Sequence, residues 1–329
     1  MYKFLILIVL TSVLAACSGG AEKKPQQQAQ QQPQLKVMPF SADSAYKFVA
    51  DQVAFGPRVV NTRAHAKCAA WLESRLRSWT SEVIVQEASA TAYDGTKLKF
   101  KNIIASFGPA GSNRILLAAH WDSRPYADYD SDPANRRKPI DGANDGASGV
   151  GVLLEIARQM SLTPPPVGVD IILFDAEDYG PPQDEHFGED TERYWALGST
   201  HWAKQPHVEG YTASFGILLD MVGARNATFL MEGFSADYAP GVVSRVWDMG
   251  YRLGFNAYFI NQRGGYITDD HVPVNRIRKI PMIDIIHLDQ TTQTGFFPYW
   301  HTTGDTFDKI DPRTLEAVGK TVMGVVYNP

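Results

Sequence analysis

Three short runs, RILLAAH (residues 114–120), IILFD (171–175) and GILLD (216–220), are apolar at successive positions and end in imidazole or carboxylate. A strand with one face in water alternates polar and apolar side chains, whereas an unbroken apolar run suits a strand covered on both faces. Such strands need helices on each side, and the sequence supplies them. DGASGVGVLLEIARQM, APGVVSRVWDMGYRLG and DPRTLEAVGKTVMGVVY carry apolar residues at helical spacing. SADSAYKFVADQV and the stretch around Cys68 read as further helices, and EVIVQEA, KLKFKNIIASFG and IPMIDIIHL as further strands. The expected fold class is α/β: three layers, with a mixed, mostly parallel central sheet and helices on both faces.

The chain of 329 residues is 44% hydrophobic with a formal charge of -5, which is enough for a single large core or two modest ones and offers no basic surface for nucleic acid. Residues 1–16 read as a signal peptide: one lysine, a short apolar run, then small residues. Leu14-Ala15-Ala16-Cys17 resembles a bacterial lipobox, which implies cleavage before Cys17 and a lipid on that residue. With Ser18 next, the expectation is an exported monomer anchored at the cell envelope, on the outer membrane facing the periplasm. Residues 17–38 are Gln-rich and Pro-punctuated, a flexible tether, and 39–329 form one catalytic domain without a second linker or repeat. Cys68 is then the one other cysteine, so no disulfide can form inside the domain. It shares a helical face with Leu72, Leu76 and Trp79, as a buried apolar thiol does.

The polar ends of the strands carry the chemistry. RILLAA leads into His120 and Asp122, IILF into Asp175, Glu177 and Asp178, and GILL into Asp220. Asp145 opens a helix, and His301 lies in YWHTTGDT. Open α/β sheets bind ligands at the carboxyl ends of their strands. Singly, each residue has an ordinary reading: Asp145 as a helix N-cap, Asp220 as a turn anchor, His301 as a satisfied loop histidine. Together His120, Asp145, Asp178, Asp220 and His301 form a mixed nitrogen and oxygen shell suited to zinc, with Glu177 turned toward substrate as a proton carrier.

In order along the chain, AAHWDSRP, DGANDGASG, FDAEDYG, LLDMVG, DDHVPV and WHTTGDT resemble the motifs of a zinc exopeptidase clan. That clan holds both the dizinc aminopeptidases of the M28 type and the animal-type glutaminyl cyclases. HWDSRP, the DDH of Asp269, Asp270 and His271, and Trp300 directly before His301 resemble the cyclase branch. The resemblance implies one zinc per chain, on Asp145, Asp178 and His301. Glu177, Asp220 and Asp269 are then the catalytic acids, the last two a hydrogen-bonded pair beside Glu177. Trp300, Trp195, Thr268 and His120 would face the substrate.

The implied activity is a glutaminyl-peptide cyclotransferase acting on peptides and proteins with N-terminal glutamine. The α-amine attacks the side-chain amide carbon, zinc serving as Lewis acid, to give pyroglutamate and ammonia. A confining indole at Trp300 favours the folded-back substrate and leaves little room for water. The competing reading is a dizinc aminopeptidase, favoured by retention of His120 and Asp220. Asp178 stands where the animal enzymes have Glu, Asp284 where they have a network histidine, and Ala119 and Val150 where they have a disulfide. The acidic loop 179–194 offers Asp184, Glu185, His186 and Glu189 as further ligands but reads better as a solvated surface loop.

Overall fold

The computed structural model describes residues 35–111, 113–185, 187 and 191–329. The signal segment, Cys17 and most of the tether lie outside the described residues, as do His186 and Glu189. Residues 35–38, the last of the segment assigned to the tether, lie on the domain. Lys36 exchanges backbone hydrogen bonds with the Asn328 side chain, and Met38 is buried.

The chain runs α1 (Ala42–Val53), α2 (Arg63–Arg77), β1 (Val83–Thr91), β2 (Lys97–Phe107), β3 (Arg114–His120), α3 (Ala147–Leu162) and β4 (Gly168–Phe174). It continues through α4 (Leu197–Lys204), β5 (Phe215–Asp220), β6 (Phe229–Met231), α5 (Gly233–Tyr238), α6 (Pro240–Arg252) and β7 (Phe259–Arg263). A short helical segment α7 (His271–Pro273) widens into a π turn (Val274–Arg278), followed by β8 (Met282–Ile286) and α8 (Pro312–Tyr327). Six strands form one sheet in the order β1-β2-β4-β3-β5-β8. The first two pairings are antiparallel and the remaining three parallel, as the mixed, mostly parallel reading requires.

The unbroken apolar runs have the expected cause. Ile115, Leu117, Ala119, Ile171, Leu173, Ile217 and Leu219 face a large core shared with α1, α2, α3, α6 and α8. Their neighbours Leu116, Ala118, Ile172, Phe174 and Leu218 face a second core with Trp202 of α4 and Val274. Each face still alternates with period two, but the two sets are equally apolar, so the period disappears from the sequence. Cys68 is fully buried in the first core with Leu72 and Leu76, and burial pushes its thiol up to about 12. Ala119 and Val150 are buried in that same core.

Several elements escaped the sequence reading. Strands β6 and β7 form a separate two-stranded parallel ribbon, and β6 is too short to show a period. Helix α4 begins after Ala196, whose backbone is left-handed, and has no side-chain cap to announce it. In the acidic loop, Asp184 and Glu185 are both held by Arg137, at 2.9 and 2.8 Å, so these two exposed carboxylates are engaged in a surface ion-pair network. Among the described residues, no helix is long and apolar enough to cross a membrane.

Candidate active site

Parallel β3, β4 and β5 end at one rim of the sheet, and the loops that follow bring the polar residues together. His301 Nε2 lies 3.3 Å from Asp178 Oδ1 and 3.5 Å from Asp145 Oδ2. His120 Nε2 lies 3.1 Å from Asp145 Oδ1 and 3.2 Å from Asp220 Oδ1. Asp145 therefore belongs to two triads of ligating atoms, one with Asp178 and His301, the other with His120 and Asp220. Asp145 is no helix cap: Gly146 occupies that position, and no side chain there bonds the helix. His120, expected at the substrate, is instead buried beneath the cleft, because three carboxylates draw its ring inward. Burial alone would lower its pKa, but hydrogen bonds to Asp122, Asp145 and Asp220 hold it well above the ordinary range.

The site is suited to a cation by what it lacks. Asp145 Oδ2 and Asp178 Oδ2 are buried without hydrogen-bond partners, a costly arrangement unless the donor set is completed by an ion. Two carboxylates and one imidazole are ordinary zinc donors, and three protein ligands leave a fourth position open. Tetrahedral zinc bonds of about 2.0–2.1 Å imply ligand-to-ligand edges of roughly 3.3 Å. The contacts of both histidines lie within about 0.2 Å of that edge, and His120 Nε2 is also hydrogen-bonded to Asp220.

Close backbone approach fixes this geometry. A Cβ on Gly146 would sit 2.5 Å from the His120 carbonyl oxygen and 2.6 Å from its ring, so DGASG requires glycine there. A Cβ on Gly180 would meet the Trp195 indole at 1.9 Å. Four non-glycine residues around the cleft have left-handed backbones: Ala176 (φ 55°), Ala196 (φ 50°), Met221 (φ 48°) and His301 (φ 53°). Each adjoins or is a cleft residue, and such strain, about 1–3 kcal/mol apiece, persists where surrounding contacts enforce it.

Residues beyond those singled out from the sequence do the enforcing. Arg124 is buried, gripping Asp128 through two hydrogen bonds of 2.8 and 2.7 Å while donating to Asp178 Oδ1 at 3.3 Å and to the Gly180 and Pro181 carbonyls. Its guanidinium also lies 4.7 Å over the Trp195 ring, tying a candidate metal ligand to an aromatic wall. Asp122 accepts the backbone N–H groups of Glu177 and Asp178, both at 3.2 Å. Asp305, at the end of the WHTTGDT motif, accepts those of Asn144 and Asp145 at 2.9 and 3.1 Å. The motif strings contained these residues, but one sequence gives no sign that a carboxylate will bond backbone instead of ligand.

Glu177 is half-buried and lines the cavity beside this shell. Burial, then the Asp178 charge, pushes its pKa well above the ordinary carboxylate range. Asp269, expected to pair with Asp220, lies within range of both Asp220 and Asp284. Asp220 bonds His120, and Asp269 pairs with Asp284, which occupies the network position in question on β8. Asp220 still feels the charge of Asp269; burial first, then the Asp145 and Asp269 charges, raise Asp220 to about 7 against the lowering pull of His120. Asp284 is raised well above its usual range by burial and by Asp269, which favours its neutral form.

The cavity is small, about 70 Å³. Asp145, Glu177, Asp178, Asp220, Asp269 and His301 line its polar side, with Trp195, Trp300, Phe296 and Thr268 around the rest. Trp300 stacks on His301 with ring centroids 3.8 Å apart and meets Phe296 at 4.5 Å; Trp195 lies parallel to His301 at 6.2 Å. Trp195, Thr268 and Trp300, expected to face the substrate, line this cavity. A larger cavity, about 670 Å³, opens around Arg114, Asp170 and Tyr211 at the opposite ends of β3 and β4 and shares no residue with the cleft.

Two measurements test this electrostatic account. Arg124→Met strands the Asp128 and Asp178 carboxylates, and urea unfolding is expected to show a loss of about 3–5 kcal/mol; a loss below 1 kcal/mol would remove Arg124 from the account. The second concerns the metal-free protein. Asp220, at about 7, and Asp305, raised to about 8 by burial and then by Asp145, both exceed the unfolded value of roughly 3.9. The folded state therefore holds more protons than the unfolded one, and the stability this contributes is fully present below about pH 4 and lost as pH rises through 7 and 8. The Tm of the zinc-stripped protein is expected to fall between about pH 5.5 and about pH 8.5, and added zinc to raise Tm more at the higher pH. A Tm that rises with pH would contradict the assignment.

The model of Peptidase family M28 matches residues 102–326, which contain every side chain of the cleft. Glutaminyl-peptide cyclotransferase from Bos taurus is 27% identical over 251 residues, covering 67% of this chain and 64% of the relative, so the chain spans just under two thirds of that protein's length. A solved glutaminyl cyclase of Bacteroides thetaiotaomicron, bound to N-acetylhistamine, is 52% identical over 89% of this chain and all of that one, with a TM-score of 0.87. A Zn-dependent exopeptidase from Parabacteroides distasonis is 55% identical, with the same coverage and TM-score. The fold is that of the zinc exopeptidases and glutaminyl cyclases, and the chain belongs to the M28 peptidase family.

Proposed function

We propose that this protein is a zinc-dependent glutaminyl-peptide cyclotransferase that converts N-terminal glutamine of peptides and proteins to pyroglutamate with release of ammonia. The observation that carries the reading is the cleft itself: a carboxyl with a raised pKa faces a cavity of about 70 Å³ walled by two indoles and a phenyl ring. Such a space fits one compact side chain folded back on its own amine better than a polypeptide with an attacking water. The similarity to solved glutaminyl cyclases supports it.

Asp145, Asp178 and His301 would hold one zinc ion, which when bound supplies Lewis-acid polarisation of the glutamine side-chain carbonyl. Glu177 accepts a proton from the α-amino group and delivers one to the departing ammonia. Asp269 and Asp284, pushed toward their neutral forms, limit the negative charge around Glu177 so that it can cycle between its two states. Trp300, Phe296 and Trp195 hold the folded-back substrate and exclude water, while Thr268 stands at the mouth.

A dizinc aminopeptidase is the second reading, favoured by the triad of His120, Asp145 and Asp220. Against it, His120 Nε2 is already hydrogen-bonded to Asp220 at 3.2 Å, and the indole walls leave little room for a peptide bond. We further propose that the protein is an exported monomer, lipid-anchored through Cys17 on the outer membrane facing the periplasm.

Purified protein with zinc is expected to remove one ammonia from Gln-Xaa peptides, read by product mass, with one metal ion per chain. Glu177→Gln should lower kcat about 10²–10⁴-fold, and Trp300→Ala should lower kcat/KM by about tenfold or more. Release of free glutamine with two metal ions per chain would replace this reading by the aminopeptidase. For location, radiolabelled palmitate should enter the chain and be lost in Cys17→Ser; an unlabelled wild type would end the anchor proposal.

A further inference from the structure

Beside the catalytic cavity, between α4 and the 271–278 helical segment, lies a second depression of about 260 Å³. Trp195 and Thr268 belong to both, each forming part of the ridge between them. The catalytic cavity is hemmed elsewhere by the carboxylates, His301, Trp300, Phe296 and Ile286. We infer that this depression seats the side chain of the residue following the N-terminal glutamine and selects an apolar one. The inference rests on the cyclase reading and names the substrate feature that reading leaves open.

Its surface explains the preference. Val272, Pro273 and Ile277 give it an apolar floor, and Ile277 is 41% exposed although it borders a functional cleft. Isolated exposed isoleucines are ordinary, but one facing a concavity that adjoins a catalytic site marks apolar area to be covered by ligand. The rim is charged, with Arg276 among its residues. Arg276 is fixed in place, donating to the Tyr238 hydroxyl at 3.0 Å with its guanidinium 5.1 Å over the Phe234 ring. A leucine or phenylalanine side chain at the second position covers the floor, whereas a lysine there brings a like charge to the rim and leaves the floor wet. The expected preference is roughly tenfold, the scale of one partly buried apolar side chain.

The test compares kcat/KM for glutamine amide, Gln-Ala-amide, Gln-Leu-amide, Gln-Phe-amide and Gln-Lys-amide in wild type, Ile277→Ala and Ile277→Asp. In wild type, Gln-Leu-amide and Gln-Phe-amide should exceed Gln-Ala-amide by roughly tenfold, chiefly through KM, with Gln-Lys-amide the poorest peptide. The ratio of Gln-Leu-amide to Gln-Ala-amide should shrink in Ile277→Ala, and in Ile277→Asp it should collapse to about one while Gln-Lys-amide overtakes both. Equal rates across the peptides in wild type, or an unchanged ratio in both variants, would overturn the subsite while leaving the cyclase intact. Failure of wild type to cyclise glutamine amide itself would overturn the cyclase reading and the subsite with it.

Discussion

Buried negative charge is the constraint around which this molecule is organised. Asp122, Asp128, Asp145, Asp178, Asp220, Asp269, Asp270, Asp284 and Asp305 are all buried, and most crowd one rim of the sheet. Isolated in an apolar interior, such carboxylates would oppose folding by several kcal/mol each. The structure disposes of them in four ways. Some accept backbone N–H groups, as Asp122 and Asp305 do; some face a fixed guanidinium, as Asp128 does. Burial pushes Asp269 and Asp284 toward their neutral forms, and Asp145 with Asp178 keeps lone pairs free for a cation. The last two solutions are reversible and the first two are not, so the chemistry resides where the charge is only provisionally balanced.

The architecture was legible because strands covered on both sides leave an unmistakable trace: Leu116 and Leu117 face opposite layers, yet both are leucine. The cluster of candidate metal ligands was legible because strand after strand ended in a group that turn formation alone does not demand. What remained hidden depends on which of two equivalent partners a side chain chooses. His120 could as well have faced substrate, and only the placement of three carboxylates around it decides otherwise. Asp269 had Asp220 and Asp284 within range, and the register of β8 beside β5 determines the pairing. Arg124 reads as a surface residue by type, and its burial follows from the path of the loop that wraps it.

The aromatic walls and the charged shell are mechanically one object. Trp195 rests on the backbone of Gly180 and beneath Arg124, which also holds Asp178; Trp300 stacks directly on His301. A shift in either indole therefore moves the side chains that define the electrophilic centre, and shape selection and chemical activation cannot be tuned separately. The left-handed backbones at Ala196 and His301, each adjacent to one of these indoles, mark where the chain is bent to hold them.

Where the animal cyclases carry a disulfide near this site, Ala119 and Val150 occupy the same apolar core as Cys68. The cleft is thus held together by contacts that form and dissolve reversibly, with no sulfur chemistry in them. Such a scaffold asks nothing of the redox potential of the compartment in which it is assembled.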